Sequence, residues 1–210
     1  MAITDLTLLP SKYNNQDVIF FDDVFYIDSF IYTLEEAKND PFLELSEDNL
    51  REMEQALSDD SWASSTTDKE LEQCREIPSF LHDYFYLKLN DYADDSEQVE
   101  LMKELIIQFK TPLTAASFCE RYGVDEQLRQ IVIDSKRPNA ALFWCTHIEN
   151  ELVMRDIIMK SDDLFTIIDY SITLRGKDKE VEQLILNPDA CAVNAVYYLE
   201  RLDEVKRAEA

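Results

Sequence analysis

The chain holds 2 glycines and 2 histidines in 210 residues, 4 cysteines, and 20 Lys+Arg against 44 Asp+Glu. Each shortage excludes a class of function. Phosphate-cradling and dinucleotide-binding loops need glycine for positive φ or close backbone approach, and the tight turns of most sheets draw on the same residue. An α-rich fold is therefore expected. His82 and His147 lie in no H-E-x-x-H and beside no cysteine at zinc-ligand spacing, so both are read as helix-face residues. With glycine only at 123 and 176, no acidic run can form an EF-hand loop. No G-x-S-x-G nucleophile elbow is present. The deficit of positive charge repels nucleic acid phosphate and anionic lipid alike. No uncharged apolar run approaches the roughly 18 residues of a membrane span. The richest stretch, Val18 to Leu34, is interrupted by Asp22, Asp23 and Asp28. The start MAITDLTLLP has no basic segment leading into an apolar one, and Cys74, Cys119, Cys145 and Cys191 form no C-x-x-C, so a cytoplasmic protein with reduced, mostly core thiols is expected.

What is present is a core and an uneven charge. At 46% hydrophobic the chain can bury apolar surface despite a formal charge of −24. Residues 1–100 carry 25 carboxylates and 6 bases, whereas residues 101–210 carry 19 and 14. This predicts an acidic helical region over 1–100 and a more balanced region over 101–210, packed as one unit.

The first 16 residues, with Pro10 and the Asn14-Asn15 pair, read as an irregular lead-in. Over 17–38, Phe20, Val24, Ile27, Ile31 and Leu34 recur at helical spacing and run into the helix-forming Leu34-Glu-Glu-Ala-Lys38, which favours a helix. The β-branched and aromatic content of VIFFDDVFYI makes a short β-hairpin near 17–32 the alternative. Beyond Asn39, short helices alternate with acidic loops. Ser46 caps one carrying Leu50, Met53 and Leu57; Asp68 caps a second carrying Leu71, Cys74 and Ile77, stopped by Pro78; Ser79 opens a third. In the polar loop 58–68, Trp62 is either a core plug or an exposed interaction residue.

The second half contains an internal repeat. Ser135, Ser161 and Pro188 stand 26 and 27 residues apart. Before them recur Leu128, Met154, Val181 and then Val132, Ile158, Ile185; after them recur Leu142, Ile168, Ala195 and then Trp144, Tyr170, Tyr197. Each unit is a helix with apolar residues at i, i+3 and i+4, a turn, and a second helix ending in an aromatic. Pro138 and Pro188 suit first helical turns, Gly123 a left-handed helix stop, and Asp125 the next N-cap. Gly176 precedes Asp178 in the same way, and Thr111-Pro112 opens LTAASFCERY. Units such as Ile185-Leu-Asn-Pro188-Asp-Ala-Cys-Ala192-Val-Asn-Ala-Val-Tyr197 resemble the short helical-hairpin tandem repeats of some bacterial and phage proteins, and more loosely HEAT-type α-solenoids. The resemblance implies stacked helical hairpins and a protein-binding role. The expected fold is thus mostly all-α.

Paired carboxylates at Asp22-Asp23, Asp59-Asp60, Asp94-Asp95 and Asp162-Asp163 are too numerous to single out one as a catalytic pair, and no catalytic residue, metal ligand or cofactor is expected. Clustered carboxylates on helices attract and steer basic surfaces. The sequence therefore points to a non-enzymatic antagonist, an inhibitor or immunity-type protein, occupying the basic surface of a nucleic-acid-acting or toxin partner. Its acidic face is expected at Asp59, Asp60, Asp91, Asp94, Asp95, Glu97 and Glu100, with Trp62 as an aromatic contact. The alternative is an adaptor of a bacterial or phage machine that binds through its repeats, with Trp144, Tyr170 and Tyr197 either lining a groove or, as favoured, holding the stack together.

Overall fold

A computed structural model describes residues 6–58, 66–88, 96–173 and 196–201, with Lys179 and Gln183. The fold is mostly helical with a small antiparallel sheet near the N-terminus. Two compact units divide it, Met1–Thr114 and Ala115–Ala210.

In the first unit, β1 (Thr7–Leu8), β2 (Ile19–Phe21), β3 (Val24–Ile27) and β4 (Phe30–Tyr32) pair in chain order as an antiparallel meander. The helix favoured over 17–38 is thus replaced by strands up to Tyr32, and the hairpin alternative is extended to four strands. Two-residue turns make this work without glycine. Asp22 and Asp23 have φ of 49° and 61°, Asp28 and Ser29 of 50° and 70°, and Asn14 and Asn15 of 50° and 66°. Positive φ at both central residues is the type I′ pattern, whose twist matches antiparallel strands. Asn and Asp tolerate it because their short side chains can hydrogen-bond locally.

All four residues of β3 are buried, so both faces of the sheet are covered. On one face Phe25 and Ile27 join Leu9, Val18, Ala37 and Met53, the last two from α1 (Leu34–Asn39) and α2 (Glu47–Ser58). On the other, Phe21 meets Phe80 and Tyr84 at centroid distances of 6.1 and 5.1 Å, and Tyr26 meets Phe80 at 5.6 Å. Both partners lie on α4 (Ile77–Lys88). Tyr84 fixes the nearest turn by donating its hydroxyl to Asp22 Oδ2 at 2.6 Å.

The helix starts follow local chemistry. Ser46 Oγ accepts from Asn49 N–H ahead of α2. Before α3 (Asp68–Gln73), the cap is Thr67 in place of Asp68, because Thr67 and Glu70 form a reciprocal capping box. Pro78 does not stop a helix but lies in the first turn of α4, where its missing N–H costs nothing. After α5 (Ser96–Phe109), α6 (Pro112–Tyr122) crosses the division between units.

In the second unit, Gly123 ends α6 at φ +98°, its N–H donating to Cys119 O at 3.0 Å. Asp125 then caps α7 (Glu126–Ser135) by accepting from Gln127 and Leu128 N–H. Next come α8 (Pro138–His147), α9 (Leu152–Met159) and α10 (Leu164–Thr173), with 196–201 also helical. Two units of the repeat are matched atom for atom at their anchors. Ser135 Oγ donates to Val132 O at 2.7 Å and Ser161 Oγ to Ile158 O at 2.8 Å, closing α7 and α9 alike. Leu128, Met154, Val132, Ile158, Trp144 and Tyr170 are all buried, which places the two aromatics in the core. The third unit, with Gly176, Asp178, Val181, Leu184, Ile185, Pro188 and Ala195, lies outside the described residues, although Tyr197 is described and half-buried.

Candidate protein-binding surface

Of the predicted acidic face, Glu97 and Glu100 are exposed in the first turns of α5. Asp59, Asp60, Trp62, Asp91, Asp94 and Asp95 lie outside the described residues. Glu104 extends the pair at i, i+3, i+7 spacing, which puts the three carboxylates on one helix face while Met102, Leu105 and Ile106 are buried. That spacing was available in the sequence and identifies Glu104 once the helix is accepted.

A second concentration follows β4. Glu35, Glu36, Glu44, Glu47 and Asp48 are exposed there. Four of the eight cations of this unit are held in ion pairs. Lys12 pairs with Asp17 at 2.8 Å, Lys38 with Glu54 at 2.5 Å, Arg51 with Asp48 at 2.7 Å and Lys88 with Asp22 at 3.3 Å. Among the described residues, Glu44, Glu47, Glu100 and Glu104 form no ion pair. Low-dielectric protein behind such charges and water before them leaves an outward negative potential, screened beyond about 10 Å at 0.1 M salt.

Other ionisable and nucleophilic groups of the first unit cluster beside its sheet. A cleft of about 610 Å³ beside β1 is lined by Leu8, Pro10, Lys12, Asp17, Glu70 and Cys74 among others. Near it Asp17, Cys74 and Glu76 bring ligand atoms within 4.8 Å of one another. These groups are already matched internally: Lys12 holds Asp17, Thr67 holds Glu70, and Cys74 Sγ–H donates to Glu76 at 3.4 Å. Burial pushes the Cys74 thiol up to about 12 and the Cys145 thiol up to about 11, so both are protonated at neutral pH and poor nucleophiles. Cys74, Cys119 and Cys145 are free thiols, and Cys191 lies outside the described residues.

Two of the four carboxylate pairs lie among the described residues. Asp22-Asp23 forms a turn, and Asp163 caps α10 by accepting from the Thr166 N–H at 3.3 Å and also accepts the Thr166 hydroxyl at 2.6 Å. His147 Nδ1 lies 3.0 Å from Glu120 Oε1 and its ring stacks on Phe143 at 4.3 Å, on the helix surface as expected. His82 stands 3.5 Å from Asp83.

In the second unit, one half-buried network organises the helix ends. Glu151 precedes α9 and accepts from Arg129 Nε at 3.1 and 3.0 Å and from Trp144 Nε1 at 2.9 Å. Hydrogen bonds from Arg129 hold the Glu151 carboxyl below the usual carboxylate range. Tyr170 donates to neighbouring Asn150 at 2.9 Å, so both repeat aromatics are tied to the α8–α9 connection.

Among the described residues no helix is long and apolar enough to cross a membrane. Comparison of the chain with protein families, curated proteins and solved structures finds no match.

Proposed function

We propose that the protein is a non-enzymatic, acidic protein-binding inhibitor or immunity-type antagonist that acts in the cytoplasm on the basic surface of a nucleic-acid-acting or toxin partner. The observation that carries this reading is the set of exposed, unpaired carboxylates on rigid supports: Glu100 and Glu104 on α5, and Glu44 and Glu47 around the start of α2. Charges clustered on one surface give a cationic partner both a faster encounter and a defined orientation. Burial of Trp144 and Tyr170 removes two of the three aromatics that an adaptor groove on the repeats would use.

The test is retention of a basic protein by the immobilised full chain from nuclease-treated extract of its native cell, followed by titration of the purified partner. Affinity is expected to fall about tenfold or more between 0.05 and 0.3 M salt, with a shallower dependence for the Glu100→Gln/Glu104→Gln variant. Affinity that does not change with salt counts against the proposal.

A further inference from the structure

We infer that Phe42 is a preorganised aromatic anchor, which places its ring in an apolar pocket bordered by cations on a basic protein partner. The inference rests on the acidic-surface reading above and adds a second, apolar element to it.

Phe42 is 89% exposed, the most exposed of the large hydrophobic residues described. Its loop is nevertheless tightly held. The Phe42 N–H donates to Asp40 Oδ1 at 2.8 Å, and the other oxygen of the same carboxylate accepts the Tyr32 hydroxyl at 3.1 Å. Leu43 N–H closes the turn onto Asp40 O at 3.3 Å, and Glu44 N–H donates to the Tyr13 hydroxyl at 3.2 Å. Pro41 fixes φ between them. Leu43 and Leu45 pack on the core cluster with Tyr32. The chain therefore turns the two leucines toward the core cluster and leaves the phenylalanine that precedes them in water. A backbone held in this way has already lost the main-chain freedom that binding would otherwise remove, leaving only the ring's own rotation to be ordered. Phe30, 64% exposed, is a second exposed phenylalanine of this unit, its ring 6.5 Å from that of Tyr32.

Charge decides the occupant. Between Glu35 and Asp48 the chain has six carboxylates and a single cation, Lys38, which Glu54 already holds. A second copy of this surface would set these carboxylates against one another, and an anionic membrane or a nucleic acid would meet the same repulsion. A cationic protein surface with an apolar pocket satisfies both elements. Aromatic anchors surrounded by polar contacts are the usual composition of such hot spots.

The full chain is titrated with two short basic peptides, an oligolysine and an amphipathic Leu/Lys helix, at low salt and at about 0.15 M salt. Both are expected to bind at low salt, while at the higher salt the amphipathic peptide binds about tenfold more tightly than oligolysine. Phe42→Ala should abolish that preference and leave the oligolysine affinity unchanged. Leu152→Ala, which removes another exposed apolar side chain, should change neither, and circular dichroism verifies folding of each variant. A preference that survives Phe42→Ala overturns the anchor while leaving the acidic reading intact. Failure of oligolysine to bind at low salt overturns the acidic reading and the anchor with it. Self-association of the chain that Phe42→Ala abolishes would assign the ring to a second copy and overturn the inference.

Discussion

The two units spend their carboxylates differently. In Met1–Thr114, Asp22, Asp23 and Asp28 sit in turns at positive φ, and Glu44, Glu47, Glu100 and Glu104 face water without ion pairs. In Ala115–Ala210, Glu151 is clasped by Arg129 and Trp144, Glu126 pairs with the same arginine, and Asp156 pairs with Lys160. In the first unit carboxylates cap helices, as Glu70 does, but also shape strand turns and project a field; in the second, those of the α8–α9 connection tie helix ends together through ion pairs. The ratio of bases to acids governs the difference. Where bases are few, most carboxylates must be solvated or used in turns; where they are more plentiful, a half-buried pair can be completed by a third group.

The sharpest challenge to this contrast is Trp144→Ala. Trp144 is fully buried in the second unit, and its removal leaves a cavity and deprives Glu151 of a donor. A loss of about 3–5 kcal/mol is expected in equilibrium unfolding. Next is Glu151→Gln, which breaks the charge pair with Arg129 and should cost about 1.5–3 kcal/mol. A pH titration separates that pair from the exposed acids. Because the folded Glu151 carboxyl lies below its usual range, its contribution is complete above the unfolded carboxyl pKa of about 4.3 and disappears as pH falls through the folded value. The Gln variant should lose less stability than wild type over that acid window; an identical acid profile would mean that the pair is inert. The smallest effect, and of opposite sign, is expected for Asp23→Gly in the first unit. Asp23 has φ of 61°, where glycine pays no Cβ penalty, so thermal unfolding should show a gain of about 0.5–1 kcal/mol. A loss there would show that the aspartate side chain supports the turn beyond its backbone geometry.

The helical hairpins were legible in the sequence because their signals are independent and local: Pro138 at a first turn, Gly123 at a stop, Asp125 at a cap, and Ser135 and Ser161 repeating the same closing bond. The sheet was not, for two physical reasons. Its strands are apolar on both faces, so the period-2 alternation that marks a half-buried strand is erased, and helical spacing can be found by chance in such a run. Its turns also avoid glycine, so the shortage that argued against a sheet was met by Asn, Asp and Ser. The acidic surface was read from composition, and Glu97 and Glu100 stand exposed on their helix. Nothing in the sequence marks Phe42, because exposure cannot be read from three neighbouring apolar residues, Phe42, Leu43 and Leu45; only the fold decides that the leucines pack on the core.

The meander also has a consequence for how the chain collapses. Strands joined by two-residue turns close loops of low entropic cost, and contacts between chain neighbours form early. The sheet can therefore assemble before α4, whose Tyr84 reaches Asp22 across 62 residues. During that interval Phe21 and Tyr26 lack their cover, which makes the half-built sheet a template for aggregation. Asp22, Asp23 and Asp28 at its turns give two such intermediates like charge where those turns would meet, so aspartates that stand in for glycine also act as gatekeepers against intermolecular pairing.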